Sequence, residues 1–176
     1  DDNWVTILDE TAYATFDAAW RKRFQSSADA AATKTSYTGL SFTRVNGTTL
    51  TLGGPAILQR LEVALVEAFK FPRSSSRSIV RKFAIVPMCA NGLRLLYEPA
   101  SPANPMLEPA CLHMAQRVNG IIGFIVCQFR QDGYFAYVAI SQRLARYFTL
   151  NVWRRLLSLG EYLIATKDKC LTFRRA

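Results

Sequence analysis

The chain has 176 residues, half of them hydrophobic, which is enough apolar material for the core of one domain and excludes a disordered tail or a low-complexity linker. Lys and Arg number 22 against 13 Asp and Glu, a formal charge of +9 that points to a polyanionic partner such as nucleic acid or an anionic membrane face. A single histidine, His113, and four scattered cysteines exclude a His-rich metal site and a CxxC-type centre.

In chain order, residues 11–25 carry Tyr13, Phe16 and Trp20 at helical spacing, although strand alternation also fits. Ser26–Ser36 is small and polar and reads as a connection. Asn46-Gly47 separates two β-rich runs, Leu40–Val45 and Thr48–Leu52, and predicts a hairpin, because Asn-Gly readily takes the positive φ angles of a two-residue turn. After Gly53-Gly54-Pro55, the series Ile57, Leu58, Leu61, Leu65, Phe69 predicts a helix that Pro72 would end. Asn91-Gly92 and Asp132-Gly133 repeat the turn signal. They predict hairpins joining Ser78–Pro87 to Leu93–Glu98, and Ile121–Arg130 to Tyr134–Ile140.

Pro99, Pro102, Pro105 and Pro109 mark a loop or insertion. Near the C-terminus, Asn151 is placed to cap a helix bearing Trp153, Leu156, Leu157, Leu163 and Ile164, with Lys167 and Lys169 at its end. Thr49–Leu52 leads into the first helix and Tyr147–Leu150 into the last. The expectation is therefore one α+β domain over 1–176 in two sheet-plus-helix halves, about 1–72 and 73–176. No run approaches the ~18 to 20 continuous apolar residues of a membrane span.

Catalytic signals are sparse. Gly53-Gly54 lacks the Gly-Lys-Ser/Thr of a phosphate loop, Asp9-Glu10 has no evident partner acid, and no cofactor motif is present. Cys111 and His113 share a face only if their segment is a strand, and no third group orients them. The expectation is a protein that is not an enzyme and holds no metal.

The basic residues are better organised. Arg44, Arg77, Arg81, Lys82, Arg94, Arg130, Arg143 and Arg146 fall at predicted strand edges and hairpin ends, where they could track a phosphate backbone. Tyr37, Phe42, Tyr97, Tyr134, Phe135, Tyr137, Tyr147 and Phe148 are interleaved with them and could stack unpaired bases, although at most a third need be exposed. Trp153, Leu156, Leu157 and Leu163 present more apolar surface than one sheet face covers and are candidates for an oligomer interface.

Taken in order, Thr49–Leu52 with Ile57–Phe69, Ile79–Pro87 with its Gly-containing turn, Gly133–Ile140, and Tyr147–Leu150 running into the last helix resemble the Whirly fold. The resemblance is closest to the kinetoplastid mitochondrial guide-RNA-binding proteins and covers roughly 38–98 and 120–167. It implies two antiparallel four-stranded β-sheets, each followed by an α-helix. It also implies a mitochondrial heterotetramer of related subunits that presents guide RNA for annealing to messenger RNA through phosphate contacts. The lysine-rich strand of plant Whirly proteins has no counterpart here. The alternative is a basic structural subunit of an organellar ribonucleoprotein particle. The chain opens on Asp1-Asp2-Asn3 rather than Met, as removal of a transit peptide or a trimmed clone would leave it.

Overall fold

The computed structural model describes residues 11, 14, 15, 18, 34–37, 39–46, 49–70 and 87–174. The chain forms two units, Asp1–Thr33 and Lys34–Ala176. In the first, residues 11, 14, 15 and 18 are helical and exposed, and the Thr15 hydroxyl donates to the Thr11 carbonyl at 3.0 Å. The helical alternative therefore holds for the described part of 11–25, while Tyr13, Phe16 and Trp20 lie outside the described residues.

The second unit places one antiparallel sheet beside a group of helices. Its strands are β1 (Lys34–Tyr37), β2 (Leu40–Asn46), β3 (Thr49–Gly53) and β4 (Leu171–Arg174), ordered as numbered. Gly39, at φ 85°, makes the turn into β2, a left-handed conformation that suits glycine. The hairpin expected around Asn46-Gly47 is present as the β2–β3 pair, with a register shift between Arg44 and Asn46. Gly47 and Thr48 themselves lie outside the described residues. The far end of the chain then adds β4 to β3, pairing Leu52 with Leu171 and Leu50 with Phe173. Alternation sends Leu40 and Leu52 into the core, with Phe42 and Leu171 packed beside them.

The described residues of this second unit form five α-helices: α1 (Pro55–Ala68), α2 (Ala90–Leu96), α3 (Pro109–Gln128), α4 (Tyr134–Arg146) and α5 (Leu150–Ala165). In α1, Pro55 occupies the first turn and Ile57, Leu58, Leu61, Ala64, Leu65 and Ala68 are buried, as the periodicity requires. A Cβ on Gly54 would stand 2.6 Å from the Phe129 ring, so only glycine fits the junction of β3 and α1. Helix α1 packs on α3 and α5, and α4 packs on the same two. At the centre of this group, α5 has Trp153, Leu156, Leu159 and Leu163 completely buried.

The expectation of two four-stranded sheets is overturned: one sheet packs against a largely helical body. Asn91-Gly92 lies inside α2, where the Cys89 sulfur accepts from the Gly92 amide at 3.4 Å and caps the helix. Asp132-Gly133 forms a 3₁₀ turn leading into α4. The predicted strands Ile121–Arg130 and Tyr134–Ile140 are helical, because their buried residues recur at helical steps: Val118, Ile122, Ile125 on α3 and Ala136, Ala139, Ile140, Leu144 on α4. The segment Leu93–Glu98 is mostly α2, and Ser26–Ser36 ends in β1. Of Ser78–Pro87 only Pro87 is described. Helix α3 has 20 residues and a mean hydropathy of 1.3, long and apolar enough to cross a membrane. Its buried residues instead line the core, and its exposed Arg117 pairs with Glu67 of α1.

Candidate nucleic-acid interface

The eight cations singled out in the sequence separate into distinct environments. Arg77, Arg81 and Lys82 lie outside the described residues. Arg44 is exposed on β2, opposite Leu50 of β3. Arg94, on α2, is 70% exposed; it donates to the Asn91 side-chain oxygen at 3.2 Å and pairs with Glu98 at 3.5 Å. Arg146, in the last turn of α4, is exposed.

Arg130 is not a surface residue. It is 2% exposed, and its guanidinium is spent on the protein itself. Nε and Nη2 donate to the two Asp132 carboxylate oxygens at 3.0 Å each. Nη1 donates to the Thr166 carbonyl at 2.9 Å and Nη2 to the Thr166 hydroxyl at 2.6 Å, with the Leu163 carbonyl at 3.4 Å from Nη1. These bonds close the C-terminal end of α5, whose last carbonyls have no partner within the helix. Asp132 also accepts from the Tyr162 hydroxyl at 2.6 Å, and Lys169 lies 3.8 Å away. Desolvation alone would raise the Asp132 carboxyl, but the hydrogen bonds from Arg130 and Tyr162 and the charges of Arg130 and Lys169 outweigh it and hold its pKa at about 2. The expected nucleic-acid role of Arg130 is thus replaced by a structural one.

Arg143 sits in the opposite kind of place. Its guanidinium lies 5.0 Å from the Tyr97 ring centre and 5.3 Å from that of Tyr147. Nε donates to the Leu96 carbonyl at 3.3 Å, which fixes the head group between the two rings. Both tyrosines are half-exposed, at 50% and 46%. Arg94 stands one turn before Tyr97, and Arg146 precedes Tyr147. Three predicted cations and two predicted aromatics therefore gather where α2 meets the end of α4.

The proline-rich stretch holds this surface in shape. Buried Asn104 donates to the Glu98 and Pro99 carbonyls at 3.3 and 3.2 Å and accepts from the Asn151 amide at 2.8 Å. The Asn151 side chain in turn donates to Glu98 at 3.0 Å. The Leu107 amide bonds Phe148 and the Leu150 amide bonds Pro105, so residues 105–107 run as a short strap beside 148–150. The expected loop is thus an ordered connector. Asn151 lies within α5 rather than capping it, since Thr149 holds the cap position.

Other expectations resolve plainly. Trp153, Leu156, Leu157 and Leu163 are at most 2% exposed and are covered by this chain's own helices, so these four side chains are core rather than the uncovered apolar face expected of an oligomer interface. Phe148 is buried, whereas Tyr134 and Phe135 are exposed. Cys111 is buried on α3 while His113 faces solvent, so the two share no face. Desolvation, and then the Glu108 charge, push the Cys111 thiol upward. No group of three or more His, Cys, Asp or Glu able to hold a metal occurs among the described residues. A cleft of about 400 Å³ near the start of α1 is lined by both acids and bases, including Glu62, Lys167, Asp168 and Lys169, and selects no one ligand charge.

No family model, curated protein or solved structure matches this chain.

Proposed function

We propose that this protein binds single-stranded RNA through Tyr97, Arg143 and Tyr147, flanked by Arg94 and Arg146, largely without regard to sequence. The observation that carries the reading is the Arg143 guanidinium held between two half-exposed tyrosine rings. Each ring offers a face to an unpaired base, and stacking of this kind tolerates any base because every base has a π-face. The cations meet phosphates, and the overall charge of +9 draws a polyanion to the surface. Duplex RNA keeps its bases stacked inside and gains little from such a rack.

The guide-RNA annealing role and the mitochondrial setting rest on the Whirly resemblance, whose two-sheet architecture is absent, and the proposal does not extend to them. Pairing of subunits through Trp153, Leu156, Leu157 and Leu163 is not part of the proposal either, since those four side chains lie in the core. A second reading, a structural subunit of a ribonucleoprotein particle, draws support from Val63 and Val66, exposed on the outer side of α1, which docking would cover.

The test is fluorescence anisotropy of a labelled ~30-nucleotide RNA, single-stranded and duplex, over a salt series. Preference for the single strand is expected, with Arg94, Arg143 and Arg146 together contributing about 2 to the negative log–log salt slope. Joint replacement Tyr97→Ala and Tyr147→Ala should weaken binding at every salt concentration. Unchanged binding by that folded double variant would remove the site. Retention of the native protein in a large particle, with no affinity for free RNA, would favour the second reading.

A further inference from the structure

Phe135 is 68% exposed, more than any other large apolar side chain among the described residues, and its neighbour Tyr134 is half-exposed. A single exposed apolar residue needs no explanation. Two adjacent aromatics on a helix with a particular outer face carry more information. Phe135, Gln142 and Arg146 are all exposed and recur at seven- and four-residue steps, which places them on one line along α4. The helix contains no Asp or Glu, and its basic residues, Arg143 and Arg146, lie in its last turn. That line ends at the Tyr97–Arg143–Tyr147 rack. At 1.5 Å per residue it spans about 16 Å from Phe135 to Arg146.

Resting on the RNA-binding reading above, we infer that the outer face of α4 extends the site, with Phe135 as a distal stacking residue for a single strand that runs from the tyrosine rack toward the start of the helix. The occupant is a polyanion with exposed ring faces, because the outer face of α4 offers aromatic rings and cations and no acid of its own, while Glu98 beside the rack is engaged by Arg94 and Asn151. Stacked nucleotides rise ~3.4 Å each, so ~16 Å takes up to about five nucleotides, and fewer when the strand is extended. Asp132, two residues before Tyr134 and 36% exposed, has its charge offset by Arg130 and Lys169 and is bonded by Tyr162.

The experiment uses the full chain and labelled oligouridines of ~4 and ~12 nucleotides, within the usual range of single-strand site sizes. Phe135→Ala should weaken the longer oligomer ~5-fold or more, in keeping with the loss of one stacked base, and change the shorter one by less than about twofold. Phe135→Tyr should restore affinity. Tyr97→Ala should weaken both oligomers. If Phe135→Ala leaves the long oligomer unaffected while Tyr97→Ala weakens it, the extension is wrong and the rack stands. If the unmodified protein binds neither oligomer, the RNA reading itself fails. If Phe135→Ala changes only the sedimentation coefficient, the face meets a second copy of this chain and the inference is overturned.

Discussion

Arg130 and Arg143 bracket α4 and do opposite things with the same guanidinium. Arg130 is buried at the head of the helix, and its donors are divided between Asp132 and the end of α5. Arg143, near the foot, makes one backbone bond and otherwise lies against two rings that solvent can reach. The difference teaches that positive charge in a basic sequence has no fixed use. A guanidinium surrounded by carbonyls and a carboxylate becomes part of the fold, whereas one held by aromatic faces at the surface stays available to a ligand.

The strongest way to break the comparison is to remove each arginine. Arg130→Ala should cost about 3–5 kcal/mol, because it strips a partly buried carboxylate of its main partner and leaves the α5 carbonyls unbonded. Arg143→Ala should cost less than about 1 kcal/mol in stability, the scale of an exposed cation–π contact. Urea unfolding of the two variants measures both; equal costs would erase the distinction.

Asn104→Ala comes next. It leaves the Asn151 amide and two carbonyls without their partner and should cost about 1–3 kcal/mol, with a loosened Tyr97 and weaker RNA binding as the second readout. A fall in stability with unchanged affinity would show that the strap does not position the rack.

The smallest effects are those of pH. Burial pushes the Glu161 carboxyl up to about 7, on the half-covered side of α5. Its folded pKa lies above the unfolded one, so the folded state binds more protons between about pH 4.5 and 7 and loses stability as pH rises through that window. Glu161→Gln should therefore stabilise the protein at pH 8 and have little effect at pH 4. Asp132 has the opposite sign: its pKa is depressed to about 2, so its contribution is complete above the ordinary carboxylate range and fades as pH falls toward 2. Thermal melts of Glu161→Gln and Asp132→Asn across this range check both directions.

Much of the candidate site was legible one residue at a time. Arg94, Arg143, Arg146, Tyr97 and Tyr147 all stand out as exposed-type charges and rings near element ends. Their convergence was not legible, because it depends on α2 meeting the end of α4. Asn104 gave little sign of its role; a lone asparagine among prolines reads as a turn residue, and its bond to Asn151 crosses 47 positions. The residues predicted for an oligomer interface were correctly read as an apolar helix face, but the covering surface comes from α1, α2, α3 and α4 of the same chain.

Local chemistry by itself determined the β2–β3 pair, α1 and α5: an Asn-Gly turn between alternating runs, a proline at a helix start, and apolar residues at three- and four-residue steps. It did not determine α2, α3 and α4. Asn91-Gly92 and Asp132-Gly133 permit a turn without requiring one, and Ile121–Val126 and Tyr134–Ile140 are rich in β-branched and aromatic residues that serve a buried helix as well as a strand. Only the tertiary structure decided between those periods, because only packing against α5 rewards one face over another. It also decided which arginine faces water, because the partners of Arg130 at Leu163 and Thr166 lie on a different helix end and reach it only once the chain has folded.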